Sequence, residues 1–125
     1  MGKSVRVAGK TFKPAQVLDY AKGKKGKKIA VIMDTLPKYS IAELKDCDLL
    51  VHEACFSSKF EDRARQTRHS TAAQAAGIAK KTGSKRLVIT HISTRHQKDI
   101  EELEKEAKEV FPNSEIANDL EEIVL

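Results

Sequence analysis

No stretch of this sequence approaches the roughly 18 consecutive apolar residues that cross a bilayer. The opening residues, MGKSVRVAGK, lack the apolar centre of a secretory signal. A cytoplasmic protein with no membrane partner is the expectation. Cysteine is scarce. Cys47 and Cys55 stand alone, without CxxC spacing and without a framework of other cysteines. That argues against a disulfide scaffold and predicts two reduced, buried thiols. Internal repeats are absent, and the one biased segment is a lysine run.

What is present is ordinary in amount and uneven in placement. The chain has 125 residues, 40% hydrophobic and 33% charged, which suits one domain with one hydrophobic core. We expect a single domain over 1–125, in which 1–27 form an N-terminal arm and basic loop. The net charge is +5, enough to allow a polyanionic partner without demanding one. KGKKGKK at 22–28 holds much of that excess, whereas KDIEELEKEAKE at 98–109 is mixed and mostly acidic. The lysine run reads as a solvated loop, or more sharply as a phosphate contact.

Periodicity sets out the elements. VRVAGKTF predicts a small hairpin closed by Gly9-Lys10, and Pro14 ends it. IAVIM at 29–33, DLLVHEA at 48–54 and RLVITH at 86–91 are apolar runs of strand length. SIAELKDC predicts a short helix, with Ser40 and Glu43 at capping-box spacing. Residues 56–68 read as a polar loop or a loosely helical excursion. Residues 70–83 form a helix with a second capping box, Thr71 with Gln74, and a Gly83 cap. Ile100, Leu103, Ala107 and Val110 mark an amphipathic helix over 97–111. SEIA and EEIVL close the chain as two short strands. Strands alternating with helices predict an α/β layered fold.

The polar residues collect where the strands stop. The first apolar run ends in Asp34, the second in His52-Glu53, the third in His91. In open α/β sheets, ligands bind beyond the carboxyl ends of strands. His69 precedes Ser70-Thr71 at a helix N-terminus, whose free N–H groups suit a phosphate or oxyanion. Imidazole and carboxylate donors from separate strands suit zinc or manganese, which would lower the pKa of a bound water. Plainer readings stay open. Asp34 can cap the turn DTLP, His52-Glu53 can be a buried polar pair bracing loops, and His69 can support the helix cap.

The order KKIAVIMDTLP, CDLLVHEACF, RHSTAAQAAGIAKKTGSKRLVITHISTRH and EKEAKEVFPNSEIANDL resembles the carboxyl-terminal half of ribonuclease Z, a tRNA 3′-processing endoribonuclease of the metallo-β-lactamase superfamily. The likeness runs through residues 28–125, and VRVAGKTFKPAQVLD resembles the segment just upstream. It implies an α/β fold, one half of an αββα sandwich with one mixed sheet and helices packed on one face. It implies metal-dependent phosphodiester hydrolysis at tRNA 3′ ends, with zinc or manganese as cofactor.

Residue by residue, Asp34 matches the aspartate that bridges two ions, and His91 in THIS matches the histidine that completes the second ion's shell. His69 in RHST matches the histidine near the scissile phosphate. His52 and Glu53 match the HEAT motif, written here HEAC, and are assigned a supporting catalytic role. Arg95 matches a substrate-phosphate contact, with Ser70 and Thr71 beside it as substrate-binding candidates. Met33 departs from a usual glycine, Leu36 from an arginine and His96 from a tyrosine.

The family's HxHxDH motif belongs to the other half, and no HxH occurs here. With it go further metal ligands and the aspartate base. The chain is therefore expected to be inactive until another polypeptide completes the site. Its partners would be a tRNA precursor and the missing amino-terminal half, or a second copy of itself. The alternative is a structural or RNA-binding module that oligomerises through the exposed half-sandwich face.

Overall fold

A computed structural model describes residues 3–17 and 25–125. The arm opens as a hairpin, β1 (Val5–Val7) with β2 (Lys10–Phe12), in antiparallel register Arg6↔Thr11. Gly9 takes φ 76° at its turn, a left-handed geometry that costs glycine little. A single helical turn, α1 (Pro14–Val17), follows. Of the lysine run, 22–24 lie outside the described residues. Lys28 is engaged within the fold: its amide donates to Asp48 Oδ2 at 2.8 Å, and its ammonium to the Lys45 carbonyl at 2.7 Å.

Four strands form the sheet: β3 (Ile29–Ile32), β4 (Leu49–Glu53), β5 (Leu87–Thr90) and β6 (Ser114–Ile116), in the spatial order β3-β4-β5-β6. All three pairings are parallel. The mixed sheet expected from the resemblance is not what the described strands form. Each successive strand is reached by a crossover, and crossovers return the chain in the same direction. EEIVL forms no strand. Glu121 accepts the Asn118 amide at 2.9 Å, and Leu120 sits at φ 63°. That tight turn leads the chain off the sheet edge.

Helices α2 (Glu61–Thr67) and α3 (Ala72–Thr82) fill the crossover from β4 to β5, and α4 (Ile100–Val110) fills the one from β5 to β6. The α3 capping box forms as its sequence predicts. The Thr71 hydroxyl accepts the Gln74 amide at 3.3 Å, and the Gln74 side chain accepts the Thr71 amide at 3.0 Å. Gly83 ends the helix at φ 67°. The other expected box does not form. Only a 3-10 turn, Ala42–Leu44, occupies that segment, and Ser40 caps nothing. Outside partners hold the backbone there: Lys28 takes the Lys45 carbonyl, and the Asp46 amide donates to Thr82 at 2.9 Å.

One core joins the helices to the sheet. Ala72, Ala75, Ala76 and Ala79 of α3 pack with Leu103 and Ala107 of α4 against Leu50, Leu87 and Ile89. Each buried Leu or Ile contributes about 1.5–3 kcal/mol. Strand alternation sends Ile29 and Val31 to the opposite face. They are 55% and 62% exposed, and Met33 just beyond is 42% exposed. No helix of the described residues is long and apolar enough to cross a membrane.

Candidate metal centre

Parallel strands bring their carboxyl ends to one edge, so the residues that follow β3, β4 and β5 meet. Asp34, just past β3, and His91, just past β5, both hold left-handed backbone, at φ 50° and 57°. Such residues cost on the order of 1–3 kcal/mol each, and such strain gathers at functional sites. The turns aim the two side chains at one another: Asp34 Oδ1 lies 3.3 Å from His91 Nδ1.

Glu53 organises the loops beneath. It is fully buried. Its Oε1 accepts the amides of Thr35 at 3.2 Å and Ser70 at 3.0 Å, and its Oε2 accepts the Cys55 amide at 3.2 Å. One carboxylate thus ties together the loops after β3, after β4 and before α3. His69 Nδ1 stands 3.3 Å from Oε1. A carboxylate only accepts, so Nδ1 carries the proton and Nε2 has no partner among the described residues. The His69 ring meets the His91 ring edge-on, with centroids 5.2 Å apart.

His52 takes the other face of β4 and stands apart from this cluster. Its Nδ1 donates to the Glu53 carbonyl at 2.6 Å, and its Nε2 accepts the Tyr39 hydroxyl. Burial pulls the His52 pKa below its ordinary value. Burial, aided by the Glu53 charge, pushes the Tyr39 phenol up to about 12. Both groups are neutral near pH 7, and the pair acts as a brace.

Ser70 and Thr71 are buried, with hydroxyls held inside the fold. Ser70 Oγ donates to the Thr35 carbonyl at 2.8 Å, and Thr71 caps α3. Arg95 is exposed in the 3-10 turn Thr94–His96, its guanidinium 5.8 Å above the Phe60 ring. It shares an open cleft of about 400 Å³ with Arg63, His69 and His91. Two cations and two imidazoles along one cleft suit an anionic guest.

Sequence reasoning passed over Cys55 as a core thiol. It is buried, but its Sγ sits 3.6 Å from His91 Nδ1 and donates to the His91 carbonyl at 3.1 Å. Burial first, then the Glu53 and Asp34 charges, raise this thiol's pKa to about 11. Its place two residues beyond the strand end that carries His52-Glu53 was the available signal. Arg63 and Tyr39 were likewise unmarked.

The donor chemistry fits a metal. Oxygen and nitrogen ligands about 2.1 Å from a tetrahedral ion stand about 3.4 Å apart. Asp34 Oδ1 and His91 Nδ1 are at 3.3 Å. Glu53, Cys55, His69 and His91 each offer a donor atom, all within 4.8 Å of one another. Glu53 is the least available of the four, because three backbone amides already occupy its oxygens.

No protein-family model matches the chain. Individual proteins do. It is 48% identical over 103 residues to ribonuclease Z of Gemmatimonas aurantiaca, covering 82% of this chain and 33% of that protein. It is 37% identical over 123 residues to ribonuclease Z of Methanosarcina acetivorans, covering 98% of this chain and 40% of that one. Among solved structures, the short form of human tRNase Z superposes with a TM-score of 0.59 at 30% identity, over 77% of this chain and 32% of that one. A metallo-beta-lactamase fold protein from Bacillus subtilis gives 0.62 at 28% identity, over 71% and 36%. The chain thus spans about a third to two fifths of the curated relatives it matches.

Proposed function

We propose that this chain, which matches the carboxyl-terminal half of ribonuclease Z, contributes one side of a metal-dependent phosphodiesterase site for tRNA 3′ ends. The observation that carries this reading is the meeting of Asp34 and His91, 3.3 Å apart at the ends of β3 and β5. Asp34 and His91 hold the metal, zinc by preference, together with ligands from a segment bearing HxHxDH, whether on the same polypeptide or another. Once bound, the ion would lower the pKa of a water and neutralise phosphoryl charge. Everything else falls to the side chains. His69, oriented by Glu53, presents Nε2 to the leaving oxygen and can carry its proton. Arg95 grips a phosphate with its planar fork, and Arg63 adds a second charge along the cleft. Glu53 holds the loops in register, and His52 with Tyr39 stiffens the strand behind it. The exposed row Ile29, Val31 and Met33 is the face on which the HxHxDH segment packs.

The residues of this chain supply no aspartate in an HxHxDH setting to act as base, so the 125 residues alone do not hydrolyse pre-tRNA. The test is reconstitution. The purified chain is assayed on a pre-tRNA with and without a polypeptide carrying HxHxDH. Cleavage is expected only with both, and is lost in Asp34→Ala and His91→Ala. Arg95→Ala weakens RNA binding of the assembly by about 1–3 kcal/mol, as for a charge-assisted contact. Robust cleavage by the chain alone would overturn this reading in favour of a site shared between two copies.

A further inference from the structure

We propose that Cys55 is a metal ligand: with His69 and His91 it forms a thiolate-containing site that binds a zinc-like ion without the HxHxDH segment. This shares His69 and His91 with the function proposed above but depends on neither Asp34 nor any second polypeptide.

The geometry points there directly. Sulfur and nitrogen ligands on a tetrahedral zinc, at about 2.3 and 2.1 Å, stand about 3.6 Å apart. Cys55 Sγ and His91 Nδ1 are 3.6 Å apart. His69 contributes a donor atom within 4.8 Å of both. Its ring is already oriented by Glu53 at 3.3 Å, and a carboxylate behind a histidine is the arrangement that fixes a metal-binding imidazole. The three donors line the same cleft of about 400 Å³, so an ion and a water have access. Three protein ligands plus water is a common zinc complement.

A sulfur donor also sets the choice of ion. Thiolate favours zinc, cobalt and cadmium, whereas manganese prefers oxygen ligands. On binding, the Cys55 S–H bond breaks with its proton leaving to solvent, the sulfur electron pair forms the S–metal bond, and the hydrogen bond to the His91 carbonyl is lost. No redox change takes place.

Cobalt(II) reports on such a site, because a thiolate ligand adds a near-ultraviolet charge-transfer absorption that nitrogen and oxygen ligands lack. The reduced chain is titrated with cobalt chloride, then with zinc in competition. We expect the charge-transfer band in the parent and in Asp34→Ala, and its loss in Cys55→Ser. Zinc affinity should fall in Cys55→Ser by at least about tenfold, the loss that even an outer partner of a ligand typically brings. Manganese should not displace cobalt. Zinc-edge X-ray absorption of the parent chain gives a readout that needs no variant, and one sulfur neighbour is expected. Cobalt bound without the band, a band that survives Cys55→Ser, or no binding at all would each overturn the thiolate site. None of those results touches the reconstituted hydrolysis. Conversely, Asp34→Ala abolishes that hydrolysis and leaves the band in place.

Discussion

Asp34 and His91 are 57 residues apart in sequence, yet they meet at 3.3 Å, each from a left-handed backbone position at the end of a parallel strand. Nothing about stability asks for this. Both side chains are substantially exposed, and glycine or asparagine would take either turn with less strain. The sheet explains the proximity, because β4 alone separates β3 from β5. Aspartate and histidine are also residue types whose side chains can hold a metal ion.

Glu53 should be the most sensitive polar position of the chain. Glu53→Ala leaves the amides of Thr35, Cys55 and Ser70 without their acceptor. The Cys55 and Ser70 amides are buried and the Thr35 amide part-buried; a buried donor stranded in this way costs about 1–3 kcal/mol, so the variant should lose on the order of 3 kcal/mol in urea unfolding. Glu53→Gln keeps the shape and one acceptor oxygen, and should recover part of that. A Glu53→Ala protein within 1 kcal/mol of the parent would show that the loops hold their register without it.

The buried His52 should make stability depend on pH. Its folded pKa lies below the ordinary value through desolvation, so the unfolded chain binds the proton more readily. The corresponding stability is fully present above about pH 6.5, the unfolded value. It falls away as the pH drops from there through the folded pKa. Urea unfolding between neutral and mildly acidic pH should show this loss in the parent, and a smaller one in His52→Gln. An equal slope in both would place the dependence on another group.

Much of the fold was legible because its signals are local. The α3 cap is a four-residue pattern, Thr71 to Gln74, and the three apolar runs need no partner to be recognised. The failures came where distant atoms compete. Ser40 and Glu43 have box spacing, but Lys28 and Thr82 take the backbone around Lys45 and Asp46. The site divides in the same way. Asp34, His69 and His91 mark element ends and could be read from the chain. The position of Cys55 just past β4 was a signal, but its contact with His91 depends on how the loop after β4 lies against the end of β5, which no spacing encodes. His52 and Glu53 are adjacent, but strand alternation sends one towards Tyr39 and the other to the cluster.

The apolar row on β3 should drive self-association of the isolated chain. Ile29 and Val31 are exposed side by side on an edge strand, with Met33 exposed just past its end, and an exposed apolar edge seeks a partner. Sedimentation velocity should show concentration-dependent association of the parent, weakened in Val31→Lys. The HxHxDH polypeptide should compete with it. Unchanged association in Val31→Lys would move the contact elsewhere.

Anomalous diffraction at the zinc edge, from crystals of the chain assembled with its HxHxDH segment, tests the metal centre most directly. We expect ion density within about 2.0–2.2 Å of an Asp34 carboxylate oxygen and of a His91 ring nitrogen. Zinc held entirely by the HxHxDH segment, with Asp34 and His91 turned away from it, would contradict the role given to this half of the site.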